Sequence, residues 1–305
     1  MISEHQCIMS EIRELEELLK IIPEKNLIDR MSLQNRLDSA NELLRDLSKN
    51  HSSSSAVLTF RGNPVIGTHG IFAEFASKAT MAFSDAFLAV VAGLGDVLSD
   101  NGPLPNKIKN QLVITGVAVG SFGFELELPY REPELFPEME ELRRAMVKIE
   151  SLLRLSAEGS DDEVAELVEE VHPRAVKKVY EFLDCLVRDE AWCGFEFENH
   201  HFMFSDYEQI RLACDRLKSD NIKENEESYR GEFQGVLPTG RTFEFKLSDE
   251  DEVIRGKLDM SIEDPDILNR EWLHRFVDVR FQVVRVGEGR PRYRLMSLGD
   301  LKCRK

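Results

Sequence analysis

In the last quarter of the chain, apolar positions alternate with polar ones, and turn residues cut the alternation into five short stretches. Glu227–Leu237, Arg241–Leu247, Val253–Ile262, Val277–Val286 and Arg292–Leu298 each read as a strand, because a period of two sends one face inward and the other outward. Pro265–Arg275, between the third and fourth, reads as a helix. That order predicts a small five-stranded β-barrel of the oligonucleotide-binding or SH3-like kind, which hides its strand edges by closing on itself. Such barrels serve unrelated functions, so the pattern predicts architecture and not activity.

The first fifty residues carry a different period. Ile8, Ile12, Leu15, Leu19 and Ile22 step by alternating fours and threes, Pro23 interrupts, and Leu33, Leu37, Ala40, Leu44 and Leu47 resume the stepping. Each run forms one narrow apolar seam, so residues 1–50 are expected to form a coiled-coil-like helical hairpin. A hairpin of that length has little core of its own and must dock, either on itself or on a second copy. Lys49–Ser55 is a polar linker.

A central α+β domain is expected over residues 56–220. Ala56–Phe60 and Val65-Ile66 read as strands around the turn Arg61-Gly62-Asn63-Pro64. From Ile71 the period becomes helical, with Phe75, Ala79, Ala82, Phe83, Ala86, Phe87, Val90 and Leu94 on one face. This Ala- and Phe-rich helix is the predicted buried centre. Gln111–Leu128 reads as strand, divided by Gly120-Ser121-Phe122-Gly123. Helices follow over Pro137–Leu155, Glu163–Val171 and from Pro173 to about Arg188, with an acidic loop at Gly159–Asp162. Trp192–Phe204 reads as a hairpin turning near Asn199-His200. Ser205 and Glu208 have capping-box spacing ahead of the helix bearing Ile210, Ala213 and Leu217. Ser219–Ser228 reads as a charged link to the barrel, which occupies residues 228–305. Separated helices and strands give the fold class α+β.

Charge separates these segments. The net charge is −17. Residues 228–305 hold 15 Lys/Arg against 14 Asp/Glu, net +1, so the rest holds 24 against 42, net −18. An acid-rich body repels phosphate, which excludes a general nucleic-acid coat and leaves room for a basic partner. There is no apolar run of the ~18 residues that a membrane span needs, and the N-terminus lacks the basic start and apolar core of a secretory signal. Five scattered cysteines with no CxxC pair fit reduced thiols in a cytoplasmic protein.

Leu58-Thr59-Phe60-Arg61-Gly62-Asn63-Pro64-Val65, Leu112-Val113-Ile114-Thr115-Gly116 and Gly120-Ser121-Phe122-Gly123-Phe124-Glu125-Leu126 resemble a pattern found in an uncharacterised family of bacterial proteins. The resemblance spans residues 57–128 and implies no activity.

Several residues are candidates for chemistry. Gly67-Thr68-His69-Gly70 precedes the central helix, where a glycine-flanked turn can offer backbone donors to an anion; the plainer reading is a tight turn with Thr68 as the helix cap. Arg280, Arg285, Arg290, Arg292 and Arg294 lie on the last two barrel strands with Phe281 and Tyr293, a composition that can track a nucleic-acid backbone and stack on bases. Their acidic neighbours offer salt-linked solubility instead. Glu244 and Lys246 have the spacing of a metal-dependent nuclease fragment, with Glu232 as the further acid. The same alternation is what a half-buried strand shows. Adjacent His200 and His201 point to opposite faces of an extended segment and chelate poorly. Ser121, Glu125 and Glu127 have no nearby histidine and no Gly-x-Ser-x-Gly elbow.

The expectation is a non-catalytic cytoplasmic binding or assembly protein, with no cofactor and no metal. Its partner would be another protein or a second copy through residues 1–50, with no membrane involved. The alternatives are a nucleic-acid-associated factor using the barrel, in a phage-defence or toxin–antitoxin setting, and a metal-dependent nuclease or hydrolase.

Overall fold

The computed structural model describes residues 12, 15, 18, 19, 22, 26, 30, 32–40, 55–95, 98–99, 101–118, 122–129, 136–248 and 252–303. Residues 32–40 are helical, and Ile12, Leu37 and Ala40 form a small apolar contact. The remainder of the hairpin predicted for residues 1–50 lies outside the described residues.

The fold is mixed α+β. Strands β1 (Ser55–Gly62), β4 (Val113–Val117), β5 (Phe122–Glu127), β6 (Ala191–Phe197) and β7 (His200–Met203) form a sheet in the order β4-β5-β1-β6-β7. Each neighbouring pair is antiparallel. The two-residue strands β2 (Val65–Ile66) and β3 (Gly70–Ile71) make a separate small hairpin. One face of the main sheet is apolar by alternation: Ala56, Leu58 and Phe60 of β1 register with Leu126, Phe124 and Phe122 of β5 and with Phe197, Phe195 and Cys193 of β6.

Helices cover that face. They are α1 (Ala73–Leu94), α2 (Phe136–Glu158), α3 (Asp161–Glu169), α4 (Pro173–Arg188) and α5 (Tyr207–Leu217). α1 packs on α4 and α2, and α5 closes on both of those. Phe83 of α1 sits with its ring centre 5.4 Å from both Phe182 and Phe195, joining helix layer to sheet. Phe75, Ala79, Phe83, Ala86, Phe87 and Val90 are buried as their spacing predicts. Leu88, Ala89, Val91 and Ala92 are buried as well, so the second half of α1 is enclosed all round. α1 is long and apolar enough to cross a membrane, and it lies within this core with 56% of its apolar window buried.

The C-terminal region is a closed five-stranded barrel. β8 (Ile222–Leu237), β9 (Thr242–Leu247), β10 (Val253–Leu258), β12 (Arg292–Leu295) and β11 (Phe276–Val286) follow one another around it, and β11 returns to β8. β10 and β12 run parallel while the other pairs are antiparallel. A short β13 (Leu301–Cys303) adds to β11. Phe233, Phe243, Phe245 and Phe281 are all but sealed from solvent inside it.

Several predicted boundaries are corrected. The helix expected over Pro265–Arg275 is one π-helical turn, Leu268–Trp272. The third barrel strand stops at Leu258 because the Arg241 guanidinium holds the carbonyls of Asp259 and Ile262, which turns the chain. The supposed link before Ser228 is the start of β8, which pairs with β11 as far out as Ile222 and Val286. Its side chains are too polar to read as a strand, yet cross-strand backbone bonds need no apolar side chains. Asp161 and Asp162 belong to α3, not to a loop. The last helix is capped by Asp206 rather than Ser205, through a bond from the Gln209 amide.

Candidate functional site

The five barrel arginines do not form one surface. Arg280 donates to Asp300 at 2.8 and 3.2 Å and pairs with Glu226 at 3.3 Å. Arg292 and Arg294 turn toward helix α3. Arg285 and Arg290 are exposed, and their side chains have no ion-pair partner among the described residues. Phe281 and Tyr293 are not open stacking platforms. Phe281 is fully buried, and Tyr293 packs on it with ring centres 6.1 Å apart.

The junction between barrel and α3 is the most elaborate polar site in the described residues. Ser160 and Glu163 start the helix with a reciprocal capping box: the Ser160 amide donates to Glu163 at 2.8 Å, and the Glu163 amide donates back to the Ser160 hydroxyl at 3.3 Å. The Ser160 amide and hydroxyl hold the Glu163 carboxyl below its ordinary range. Three acids in the first turn suit the positive end of the helix dipole. Val164, Ala165, Leu167 and Val168 are buried in the body core. That fixes the helix rotation and leaves carboxylates toward the barrel.

Those carboxylates meet donors. The amides of Glu288 and Arg290, in the β11–β12 turn, donate to Asp161 at 3.3 Å and Asp162 at 2.7 Å. Gly287 takes a left-handed conformation at φ 52°, and a Cβ there would lie 2.5 Å from the Asp161 carboxylate. Only glycine permits both the turn and this approach. Arg292 donates to the Asp162 carbonyl at 3.2 Å and lies 3.9 Å from Glu166. Arg294 donates to the Glu169 carbonyl and lies 3.8 Å from that residue's carboxylate and 3.7 Å from Asp259. Lys257 stands 3.4 Å from Glu169 and 3.7 Å from Glu170. Burial opposes ionisation of Glu170, but Lys148 and Lys257 together outweigh it and bring its carboxyl below the ordinary value. From the body, Arg216 holds the carbonyls of Ser156 and Gly159 and approaches Asp161 at 3.7 Å.

The other sequence candidates are placed elsewhere. Gly67, Thr68 and His69 form the turn of the β2–β3 hairpin, Gly70 opens β3, and the segment does not lead directly into a helix. α1 starts at Ala73 behind Phe72, with no side-chain cap, so neither an anion site at a helix start nor a Thr68 cap is formed. Thr68 and His69 are exposed and contact each other at 3.4 Å. Glu244 is bound by Arg255 at 2.9 Å, and Lys246 stands opposite Glu232 in register. No group of three His, Cys, Asp or Glu side chains able to hold a metal occurs among the described residues. His200 approaches buried Glu150 at 3.8 Å and His201 approaches Glu196 at 3.9 Å, on opposite faces as predicted. The shallow groove along α2 is lined by charges that neutralise one another, Arg143 with Glu198 at 2.7 Å and Lys148 with Glu170 at 3.0 Å.

The core cysteines are poor nucleophiles. Burial pushes the Cys193 thiol far above its ordinary 9.0. Burial, with Asp184 and Asp215 adding to it, pushes Cys214 up to about 12. Disulfide-exchange reagent at pH ~8, near the free-thiol pKa, is therefore expected to leave both unmodified in the native protein and to label both on unfolding. The unfolded thiols ionise near 9 while the native ones do not, so stability is expected to fall as pH rises from about 9 toward 12. Native labelling of Cys193 would contradict its burial.

Comparison with family models, with curated proteins and with solved structures finds no match in any of the three.

Proposed function

We propose that the protein is a non-catalytic binding protein that acts through protein–protein contacts and attaches a partner at strand β4. The observation carrying this reading is the state of that strand. Among the described residues, β4 is the last strand at its end of the main sheet, paired on one side by β5. Its residues Val113, Ile114 and Val117 are 52%, 53% and 53% exposed. Edge strands in isolated proteins are usually blunted by charges or proline, and the β4 sequence Val-Ile-Thr-Gly-Val has neither. A bulge between Ile114 and Gly116 interrupts the register with β5. An added strand would take up the open backbone edge and bury the three side chains.

The partner argued for is a second copy of this chain. In sedimentation velocity at micromolar concentration the full chain is expected to run larger than a monomer. The double variant Ile114→Lys, Val117→Lys is expected to raise the dissociation constant at least about tenfold, equivalent to ~1.4 kcal/mol. Deleting residues 1–50 tests the other attachment expected from the sequence. A monomeric full chain, unchanged by either alteration, would defeat the self-association reading.

A second reading has its own support. Numbered along the chain, the five barrel strands run 1-2-3-5-4 around the cylinder, the arrangement of oligonucleotide-binding barrels. In those barrels the face of strands two and three and the loops after strands one and four border the ligand. Here Arg255 and Lys257 lie on the third strand, Arg290 in the loop after the fourth, and Arg292 and Arg294 on the fifth strand, which pairs with the third. This reading makes the protein a nucleic-acid-associated factor.

A further inference from the structure

The polar links between the barrel and α3 run in one direction. The barrel supplies amides and cations, and the helix supplies carboxylates and carbonyls. The loop they involve, Gly287–Arg290, follows the fourth barrel strand, which in oligonucleotide-binding barrels borders the ligand groove. Along α3 the acids facing the barrel recur at Asp162, Glu166 and Glu169, spaced roughly 4.5 to 6 Å along the axis. The helix therefore presents a line of evenly repeated negative charge to a line of donors.

The Arg290 amide closes on Asp162 at 2.7 Å and Arg294 holds the Glu169 carbonyl, but the side chains of the two lines are loosely mated. The side-chain ion pairs span 3.4 to 3.9 Å, whereas charge-assisted bonds in settled pairs close to about 2.7–2.9 Å. The Glu169 side chain is 4% exposed, yet its Oε1 accepts no hydrogen bond. The Nε of Arg292 is likewise buried and donates to nothing. Buried polar groups in a permanent structural contact are usually satisfied. An occupant that leaves donors and acceptors unmatched on both sides is replaceable by one that matches them.

We infer that α3 is a built-in competitor, occupying a track on the barrel that binds the phosphodiester backbone of single-stranded nucleic acid. This rests on the second reading above. The track consists of the Glu288 and Arg290 amides with Arg292, Arg294 and Lys257. Amides and guanidinium groups in a row are the donors that hold phosphates. Phe233, Phe243, Phe245 and Phe281 face inward, and the track itself is made of amides and cations, so it reads backbone charge and not base identity. With α3 in place only a small open population binds, and apparent affinity falls by that fraction.

The test uses the full chain and a labelled oligothymidylate of about 20 nucleotides, longer than the ~4–16 that one such barrel covers, with binding read by fluorescence anisotropy across a salt series. The variant Asp162→Asn, Glu166→Gln, Glu169→Gln, Glu170→Gln is expected to bind at least about tenfold tighter than the native chain. Its log–log salt slope should steepen by about 0.7 for each cation recruited, roughly 2 for three. Adding Lys257→Gln and Arg292→Gln should remove the gain. Glu166→Gln alone, at a residue 59% exposed, keeps the test decisive if the fuller variant misfolds by circular dichroism. It should shift affinity in the same direction by a smaller factor.

Three results would overturn the inference while leaving the nucleic-acid reading intact. One is native-strength binding that the α3 variants do not change and that is lost with Arg285→Gln and Arg290→Gln. Another is an equal gain from Glu140→Gln, Glu141→Gln, Glu196→Gln and Glu208→Gln, which remove the same charge elsewhere. The third is a gain that survives loss of Lys257 and Arg292. No binding by any variant at low salt would remove both. Binding of a polyglutamate peptide, but no oligonucleotide, to the opened variant would assign the track to acidic protein and overturn the inference.

Discussion

Replacing Phe281 with alanine is expected to cost the barrel about 3–5 kcal/mol, the range for deleting a fully buried phenylalanine side chain. The expectation comes from where the ring sits. Phe281 has no exposed surface. It lies stacked on Phe243 at 5.0 Å and 15°, edge-on to Phe245 at 5.5 Å, and within 5.9 and 6.1 Å of Tyr229 and Tyr293. Those partners come from β8, β9 and β12, so one ring from β11 touches the inward faces of most of the cylinder. A cavity there would be bordered by four aromatic rings, which relax poorly. The Tyr229 phenol, pushed up by burial and by its bonds to Glu227 and Tyr293, ties the same cluster to the barrel wall.

The measurement is urea unfolding followed by tryptophan fluorescence. The chain has two tryptophans. Trp272 packs against the barrel core and Trp192 against the body core. In a Trp192→Phe background the remaining indole reports the barrel, and the Phe281→Ala midpoint should fall by more than about 1 M. A loss below about 1 kcal/mol would mean that the ring does not organise the barrel.

The barrel was legible in the sequence because its core is made of such alternations. Phe243 and Phe245 bracket Glu244, and Val277, Val279, Phe281 and Val283 face inward at every second place. The number of strands followed from counting stretches, and their order around the cylinder, with β10 beside β12, came from the structure. What sequence could not supply was the fate of the charges. Arg292 and Arg294 find their partners 130 and 125 residues away. Composition registers both as free cations, because charge counts do not separate a solvated guanidinium from one facing an internal carboxylate. The Ser-Asp-Asp-Glu run before Val164 did carry a readable signal, a serine with glutamate three places on. Its density of acids reads as loop unless the capping bonds are weighed. The Gly67–Gly70 turn was misplaced for another reason. The two-residue strand Gly70–Ile71 leaves no period to detect, so the helical period that follows absorbs Ile71.

Substituting Val286 with aspartate is expected to destabilise the protein by about 3–5 kcal/mol at neutral pH, as for a buried charge left without a partner. Val286 is fully buried, and although it ends a barrel strand it belongs to the core of the body, beside Ile222 and Val284. It is the apolar anchor next to the polar junction. A carboxylate there would enter an apolar site and stand near Asp161, which lies 2.5 Å from a Cβ built on the adjacent Gly287. Arg216 is the cation at hand, and it is already shared with Asp161 and two carbonyls. Burial and like charge both push the new carboxyl upward. The unfolded form ionises near 3.9 and the folded form only at higher pH, so the penalty is absent below about 3.9 and grows as pH rises above it. Thermal unfolding of Val286→Asp should therefore differ little from that of Val286→Asn at pH ~4 and fall well below it at pH ~7. The charge would also loosen the hold on the β11–β12 turn, so the native-state amides of Glu288 and Arg290 should exchange hydrogen faster. Native stability at neutral pH would show that the barrel is not anchored through this residue, and that the carboxylates of α3 hold the junction without apolar help.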